Sequence, residues 1–332
     1  MAGADGSAPV DLSVAGQTVR ISSPNRVYFS ARGETKLDLA RYYLSVGEGI
    51  VRALRERPCM LHRFPRGVDG EKVHQKRLPQ GAPPWVDTVR VDFPSGRHAD
   101  ELCVTSLASV IWAVQMSTVE FHPWNSRRAD VERPDEWRID LDPMPDCGFE
   151  TVRAVAHVVH EVLDELGAVG WPKTSGGGGL HVYVRIQPRW GFAELRRAAL
   201  AFAREVERRA PQYVTTSWWR KDRELDKVFL DYNQNARDHT IASAYSVRGV
   251  PEATVSTPIR WEEVDVVVPQ DCTIATVPER FAKLGDLHAG IDAAVFSPER
   301  LLEWADRDGP VSEPGDPDSA SRPRPSRRWA PG

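Results

Sequence analysis

Phe149, Val152, Val155, Val159, Val162 and Leu166 recur at three- and four-residue spacing and stop at Gly167, which predicts an amphipathic helix over Phe149–Leu166 with its apolar stripe against a sheet. A second helix is predicted over Phe192–Arg209, where Phe192, Leu195, Ala199, Phe202 and Val206 share one face and Arg and Glu the other. A third covers Ser106 to Met116. Between them lie short alternating segments, Val86 to Val91, Trp137 to Leu141, Leu180 to Ile186 and Val228 to Tyr232, which suit strands with one buried face. Strands and helices are therefore mixed throughout, and 332 residues suffice for one large or two fused modules with a substantial core.

The strand pattern also sorts the polar residues. In Trp137 to Pro143, a period of two puts Trp137, Ile139 and Leu141 on one face and Asp140 and Asp142 together on the other. Two carboxylates so placed repel each other, yet they offer the hard oxygen ligands that Mg²⁺ and Mn²⁺ prefer. Pro143 ends the strand and leaves the pair near its rim, a place where a solvated edge would also put them. Asp231 follows the apolar run Val228 to Leu230 and precedes a polar turn, so it reads either as a third ligand or as a turn-capping aspartate. Three such aspartates could hold two metal ions, the arrangement of nucleotide polymerisation.

Lys173 to His181 supplies a different chemistry, with four consecutive glycines before a strand. Backbone N–H groups of Gly176 and Gly177, with the Ser175 hydroxyl, could cradle a triphosphate, although a flexible hairpin connection looks the same in sequence. The loop is not a Walker A loop, because Lys173 precedes the glycines and no helix opens directly after them. Leu180, Val182 and Val184 face inward, which sends His181 to the opposite face, where a donor to phosphate oxygen is useful.

Composition narrows the setting. Hydrophobic residues make up 41% and charged ones 27%, no apolar run approaches a membrane span, and Met1 to Val10 lacks the features of an export signal, so a cytoplasmic protein is expected. Four scattered cysteines suggest buried thiols, with neither a zinc ribbon nor a disulfide framework. The net charge of −4 requires any nucleic acid to bind in a local basic groove. Residues 309–332, rich in Pro, Ser and Arg, are expected to be a disordered tail after a catalytic domain over 9–308.

These pieces occur together in one order. FHPW at Phe121–Trp124, IDLDP at Ile139–Pro143, KTSGGGGLHVY at Lys173–Tyr183 and FLDYNQNARDHTIASAYSVR at Phe229–Arg248 resemble the polymerase domain of bacterial ligase D, of the archaeo-eukaryotic primase superfamily. RVYF and GETK between Arg26 and Lys36, and QKRLPQGAPPW over Gln75–Trp85, extend the resemblance, which covers roughly Val10 to Asp292. It implies an α+β primase-polymerase fold with two sheets flanked by helices around a catalytic groove. It further implies template-directed extension of a primer 3′-hydroxyl in gapped or primer-template DNA, using nucleoside triphosphates, with a preference for ribonucleotides and Mn²⁺ or Mg²⁺ in a two-metal site.

Residue by residue, the resemblance implies that Asp140, Asp142 and Asp231 ligate metal, that Ser175, His181 and Arg248 contact phosphate, that His122 lies by the sugar, and that Lys173 supports the loop. Arg26 and Lys36 would hold a 5′-phosphate across a gap, and Arg63, with Gln75 and Lys76, would contact DNA. Two departures stand out. Val73 and His74 replace a pair of aromatics, which puts base stacking in doubt, and Gln234 replaces a common arginine beside the triphosphate. The chain looks like a stand-alone, actinobacterial-type primase-polymerase of the bacterial nucleoid, serving gap filling or end joining with a DNA ligase or end-joining factors as partners. A DNA gap- or end-binding protein with secondary or lost polymerase activity, and a metal-dependent nuclease, are the competing readings. His157 and His160 are expected on ordinary helix surface, and Trp218 and Trp219 in packing.

Overall fold

The structure is a computed structural model that describes residues 7–309 except Pro94. The expected Pro/Ser/Arg tail, apart from Gly309, lies outside the described residues. A hairpin of β1 (Val10–Val14) and β2 (Gln17–Ile21) leads into α1 (Lys36–Ser45) and α2 (Gly47–Leu54). Thr35 starts α1 with a capping box, its hydroxyl bonding the Asp38 N–H while the Asp38 carboxylate returns to the Thr35 N–H.

The first sheet comprises β3 (Pro58–Arg63), β4 (Val73–Gln75), β5 (Thr88–Asp92), β6 (His98–Cys103) and, after α3 (Leu107–Gln115), β7 (Thr118–Pro123). Strand β3 organises it. β6 pairs with Pro58 and Cys59, β4 pairs with Leu61 to Arg63, and β7 runs antiparallel along Cys59 to Arg63.

After a small hairpin of β8 (Ser126–Arg127) and β9 (Asp130–Pro134), the chain builds the second sheet on β10 (Glu136–Pro143). α4 (Phe149–Leu166) precedes β11 (Trp171–Thr174) and β12 (Leu180–Arg185), and α5 (Phe192–Arg209) precedes β13 (Val214–Thr215) and β14 (Val228–Leu230). Spatial order is β11-β12-β10-β14-β13, antiparallel except for the last pair. α6 (Val277–Leu284) and α7 (Glu299–Asp308) follow. Each sheet carries its own apolar core, one around α1, α3 and β3, the other around α4, α5 and β10.

The two long helices occupy the predicted spans, and Gly167 closes α4 in the left-handed conformation at φ 67°. The predicted strand at Val86 begins two residues later, because the Val86 N–H closes a turn onto the Pro83 carbonyl. The strand at Val228 ends at Leu230, since the Asp231 side chain accepts the Asn233 N–H and caps a 3₁₀ turn. β12 is buried on both faces, not one: Leu180, Val182 and Val184 meet the helices, while Tyr183 packs with Ile241, Ile291 and Trp171. No helix among the described residues is long and apolar enough to cross a membrane.

Candidate active site

Strand β10 carries the alternation that its sequence dictates. Trp137, Ile139 and Leu141 enter the core beneath the helices, and Asp140 and Asp142 face the other way into a groove of about 570 Å³. The third aspartate arrives by strand pairing: Leu230 lies opposite Leu141, and the Asp231 N–H donates to the Asp140 carbonyl at 2.9 Å. Asp231 accepts the Asn233 N–H at 3.0 Å and the Gln234 side-chain amide at 2.8 Å, so Gln234 holds the aspartate in place.

Burial lifts all three carboxyls. Asp140 is driven well above the usual carboxylate range by desolvation; Asp142 is pushed up to about 6 by desolvation and then by the charges of Asp140 and Asp231; Asp231 rises through burial and the Asp140 charge. Three crowded, partly desolvated carboxylates are what a divalent cation would relieve, and their hard oxygens suit Mg²⁺ or Mn²⁺. The donor set therefore fits the implied metals.

The glycine loop packs against the aspartates. A Cβ on Gly179 would stand 2.3 Å from the Leu141 carbonyl oxygen, and Gly176 sits at φ +73° with Arg248 Cγ 2.5 Å from where its Cβ would be. Ser175 Oγ accepts the N–H groups of Gly177 and Gly179, each at 3.1 Å. The loop's expected phosphate cradle is thus partly spent on its own serine, whose hydroxyl proton is left to turn outward.

Behind the loop, Lys173 is 0% exposed and its Nζ meets His181 Nδ1 at 2.8 Å, the Ala242 carbonyl at 3.0 Å and the Ser256 hydroxyl. His181 Nε2 lies 3.3 Å from Asp140 Oδ1. Burial, and then the Lys173 charge, hold His181 well below its usual range, so the network assigns a neutral ring with Nδ1 accepting from Lys173 and Nε2–H facing Asp140. Lys173 is thereby tied to His181, to Ala242 and to Ser256 behind the loop. His181 borders the groove, but both ring nitrogens are engaged with the protein.

On the opposite wall, His122 Nε2 meets Glu120 Oε2 at 2.7 Å and the ring lies against His62, with centroids 3.8 Å apart. Arg248 donates from Nη1 to the Ser175 carbonyl at 2.6 Å. His122, Ser175, Gly177, His181, Gln234 and Arg248 all line the groove with the three aspartates, whereas Lys173 and Gly176 do not. Glu120 and His62 escaped the sequence reading. The period of two in β7 puts Glu120 on the His122 side, but only the cross-strand register brings His62 opposite it. His62, Glu120 and His122 are also the group of metal-type ligand atoms gathered within 4.8 Å among the described residues, which the aspartate trio is not.

The DNA candidates lie apart from this groove, and one requires correction. Lys36 is 4% exposed and its ammonium donates to the Ser22 carbonyl, the Gln115 carbonyl and Gln115 Oε1 at 3.1, 2.7 and 2.9 Å. All three of its donors are engaged inside the protein, so it is not disposed to clamp a phosphate. Arg26 is half-buried, with Nη1 on the Pro65 carbonyl at 2.6 Å. Arg63 donates to Gln75 Oε1 and the Met116 carbonyl, and Lys76 pairs with Asp238 at 2.6 Å over the Phe93 ring. His74, where aromatics were expected, stacks on His62 at 4.4 Å and is exposed. His157 and His160 sit at the surface of α4, against Asp265 and Trp261. Trp218 is half-buried beside Arg196, but Trp219 is 43% exposed next to Lys221, so the packing expectation fails for Trp219.

A family model described as the LigD primase-polymerase domain matches residues 35–288. The chain is 33% identical over 267 residues to the multifunctional non-homologous end joining protein LigD of Pseudomonas aeruginosa, covering 80% of this chain and 32% of that one. It is 30% identical over 290 residues to the protein of that name from Mycolicibacterium smegmatis, covering 87% and 38% respectively. The chain thus spans between 32% and 38% of the length of these curated relatives. The polymerase domain of Mycobacterium tuberculosis ligase D in complex with DNA superposes with a TM-score of 0.78 at 29% identity, covering 83% of this chain and 98% of that one. Matched over most of its length in sequence and fold, this chain belongs to the LigD primase-polymerase family and is a DNA-directed nucleotidyltransferase.

Proposed function

We propose that this enzyme fills short gaps in DNA, joining incoming nucleotides to a primer 3′-hydroxyl under template direction and preferring ribonucleotides. The observation that carries the reading is the groove itself, in which strand pairing brings Asp231 beside Asp140 and Asp142 and which Ser175, His122 and Arg248 also line. In the reaction the primer 3′-oxygen bonds the α-phosphorus, the α–β phosphoanhydride breaks, and pyrophosphate leaves. Asp140, Asp142 and Asp231 would hold two divalent ions, Mn²⁺ or Mg²⁺, which when bound activate the hydroxyl and neutralise the leaving phosphates. Arg248 and the Ser175 hydroxyl hold the triphosphate, His122 borders the sugar, and Gln234 fixes the Asp231 carboxylate. His181 orients Asp140 from within.

DNA is held outside the groove by Lys76, the Arg63–Gln75 pair and Arg26, with Lys36 bracing the fold beneath them. The relatives named for non-homologous end joining make that pathway, with a DNA ligase and end-joining factors as partners, the first candidate, and excision-repair gap filling the second. The test is extension of a labelled gapped duplex with Mn²⁺ or Mg²⁺ and with ribo- or deoxynucleotides. Metal-dependent addition, faster with ribonucleotides, is expected; no addition with either metal would overturn the reading.

A further inference from the structure

We propose that Glu120 is a positioning residue for the nucleotide, one buried carboxylate that ties His122 to Arg248 and sets the tautomer that His122 presents. This rests on the reading that His122 and Arg248 face sugar and triphosphate. Glu120 is 4% exposed on β7, on the same side as His122 and directly opposite His62 of β3. Its Oε2 accepts from His122 at 2.7 Å and His62 Nδ1 at 3.2 Å and lies 3.4 Å from Arg248 Nε, while Oε1 accepts the Gly249 N–H at 2.8 Å. Oε2 thus takes two histidine hydrogen bonds beside the Arg248 charge and Oε1 takes a backbone N–H, so three separate chain segments converge on one carboxylate.

The consequence for His122 is chemical. Because Glu120 takes its Nε2–H, the lone pair is left on Nδ1, where it can accept the proton of a ribose 2′-hydroxyl. Burial holds the His122 ring down at about 4 despite the Glu120 hydrogen bond, so the ring is neutral at physiological pH and that acceptor persists. Burial alone would raise Glu120, but hydrogen bonds from His122 and His62 and the Arg248 charge keep it ionised, well below its usual range. Arg248, anchored at one end by Glu120 and at the other by the Ser175 carbonyl, is held across the loop that borders the groove. A metal ion on His62, Glu120 and His122 would compete with the Arg248 guanidinium and the Gly249 N–H for the same carboxylate, so we assign the cluster to positioning.

The experiment compares Glu120→Gln, Glu120→Asp, His122→Ala, Arg248→Ala and the Glu120→Gln/His122→Ala double variant, on a gapped duplex with ribo- and deoxynucleotides. Glu120→Gln should raise KM for nucleotide about 10-fold or more, as for loss of a hydrogen bond to a charged group. It should also lower the ribo/deoxy ratio of kcat/KM, with DNA affinity unchanged. Adding His122→Ala to it should lower that ratio little further, because both act through one contact. Glu120→Asp, which keeps the charge and tests the point should the glutamine variant misfold, should fall between. Unchanged KM and ratio in both Glu120 variants, or fully additive losses, would overturn the proposal while His122→Ala and Arg248→Ala still show their effects. If those two variants are themselves silent, the pocket reading fails and this proposal with it. One equivalent of Zn²⁺ or Mn²⁺ bound by the wild type and lost in Glu120→Gln would also overturn it, in favour of a metal site.

Discussion

The N–H of Asp231 donates to the carbonyl of Asp140 at 2.9 Å, so two aspartates 91 positions apart in sequence are joined through the backbone of adjacent strands. Their separation is therefore set by sheet geometry and survives changes in side-chain charge. Replacing Asp140 and Asp142 together with Ala should remove nucleotide addition, a loss of several kcal/mol or at least about 100-fold in rate, while the melting temperature holds or rises because like charges are removed. Primer extension and a thermal melt check both halves. Extension near the wild-type rate would sink the metal assignment.

Lys36 and Arg26, paired in the sequence reading, separate in the structure. Lys36→Met should cost about 1–3 kcal/mol of stability, because the Ser22 and Gln115 oxygens lose their donor. It should leave untouched the preference for a 5′-phosphorylated gap over an unphosphorylated one. Arg26→Ala should do the reverse, reducing that preference with little effect on unfolding. Denaturant titration and binding to the two gaps distinguish them; a lost phosphate preference in a stably folded Lys36→Met would restore the lysine to the clamp.

That split marks how far the sequence could be read. Helices α4 and α5 were legible to the residue because 18-residue apolar stripes outweigh local ambiguity. The aspartates of β10 were legible because a period of two assigns faces without knowledge of neighbours. Lys36 was not, since nothing in GETK tells that Ser22 and Gln115 will enclose it. Glu120 and His62 were missed for a related reason: they are 58 positions apart, and only the β3–β7 register makes them partners. The start of β5 was misread because the Pro83 turn competes with the strand propensity of Val86.

The loop after Lys173 should tolerate no side chain at Gly179. A methyl there meets the Leu141 carbonyl, backbone of the strand that bears Asp140 and Asp142, so relief requires moving the site itself. Gly179→Ala should cost about 1–3 kcal/mol of stability and reduce kcat/KM beyond what its unfolded fraction explains. Activity measured well below the melting temperature checks this. A variant with lower stability but normal kcat/KM would separate the loop from the chemistry.

Glu101 gives a pH signature independent of the active site. It is 0% exposed, neither oxygen completes a hydrogen bond, and burial, eased by the Lys76 charge, pushes it up to about 7. A carboxyl raised in the folded state favours folding below its unfolded pKa, near 4.3, and that advantage is lost as pH rises through 7. Glu101→Gln stays neutral throughout. It should match the wild type at pH 4 and exceed it above pH 7 by on the order of 3–4 kcal/mol, the size expected from such a shift. Denaturant midpoints across this range test it, and parallel curves for the two proteins would show that Glu101 is solvated or paired.

His122 offers the most direct test of sugar recognition. Its ring is buried on the groove wall with Nε2 committed to Glu120, so Nδ1 is the nitrogen available to a sugar hydroxyl. A deoxynucleotide has no 2′-hydroxyl and gains nothing from that contact. His122→Ala should therefore lower kcat/KM for ribonucleotides selectively, by the roughly 0.5–1.5 kcal/mol of one hydrogen bond, or about 2- to 12-fold. The comparison must use one metal and one gap for both nucleotides, since a change of either alters the common terms. General damage to the pocket would reduce both efficiencies together. An unchanged ribo/deoxy ratio, whatever the absolute rates, would therefore remove His122 from sugar recognition and leave it only the part it plays in packing against His62.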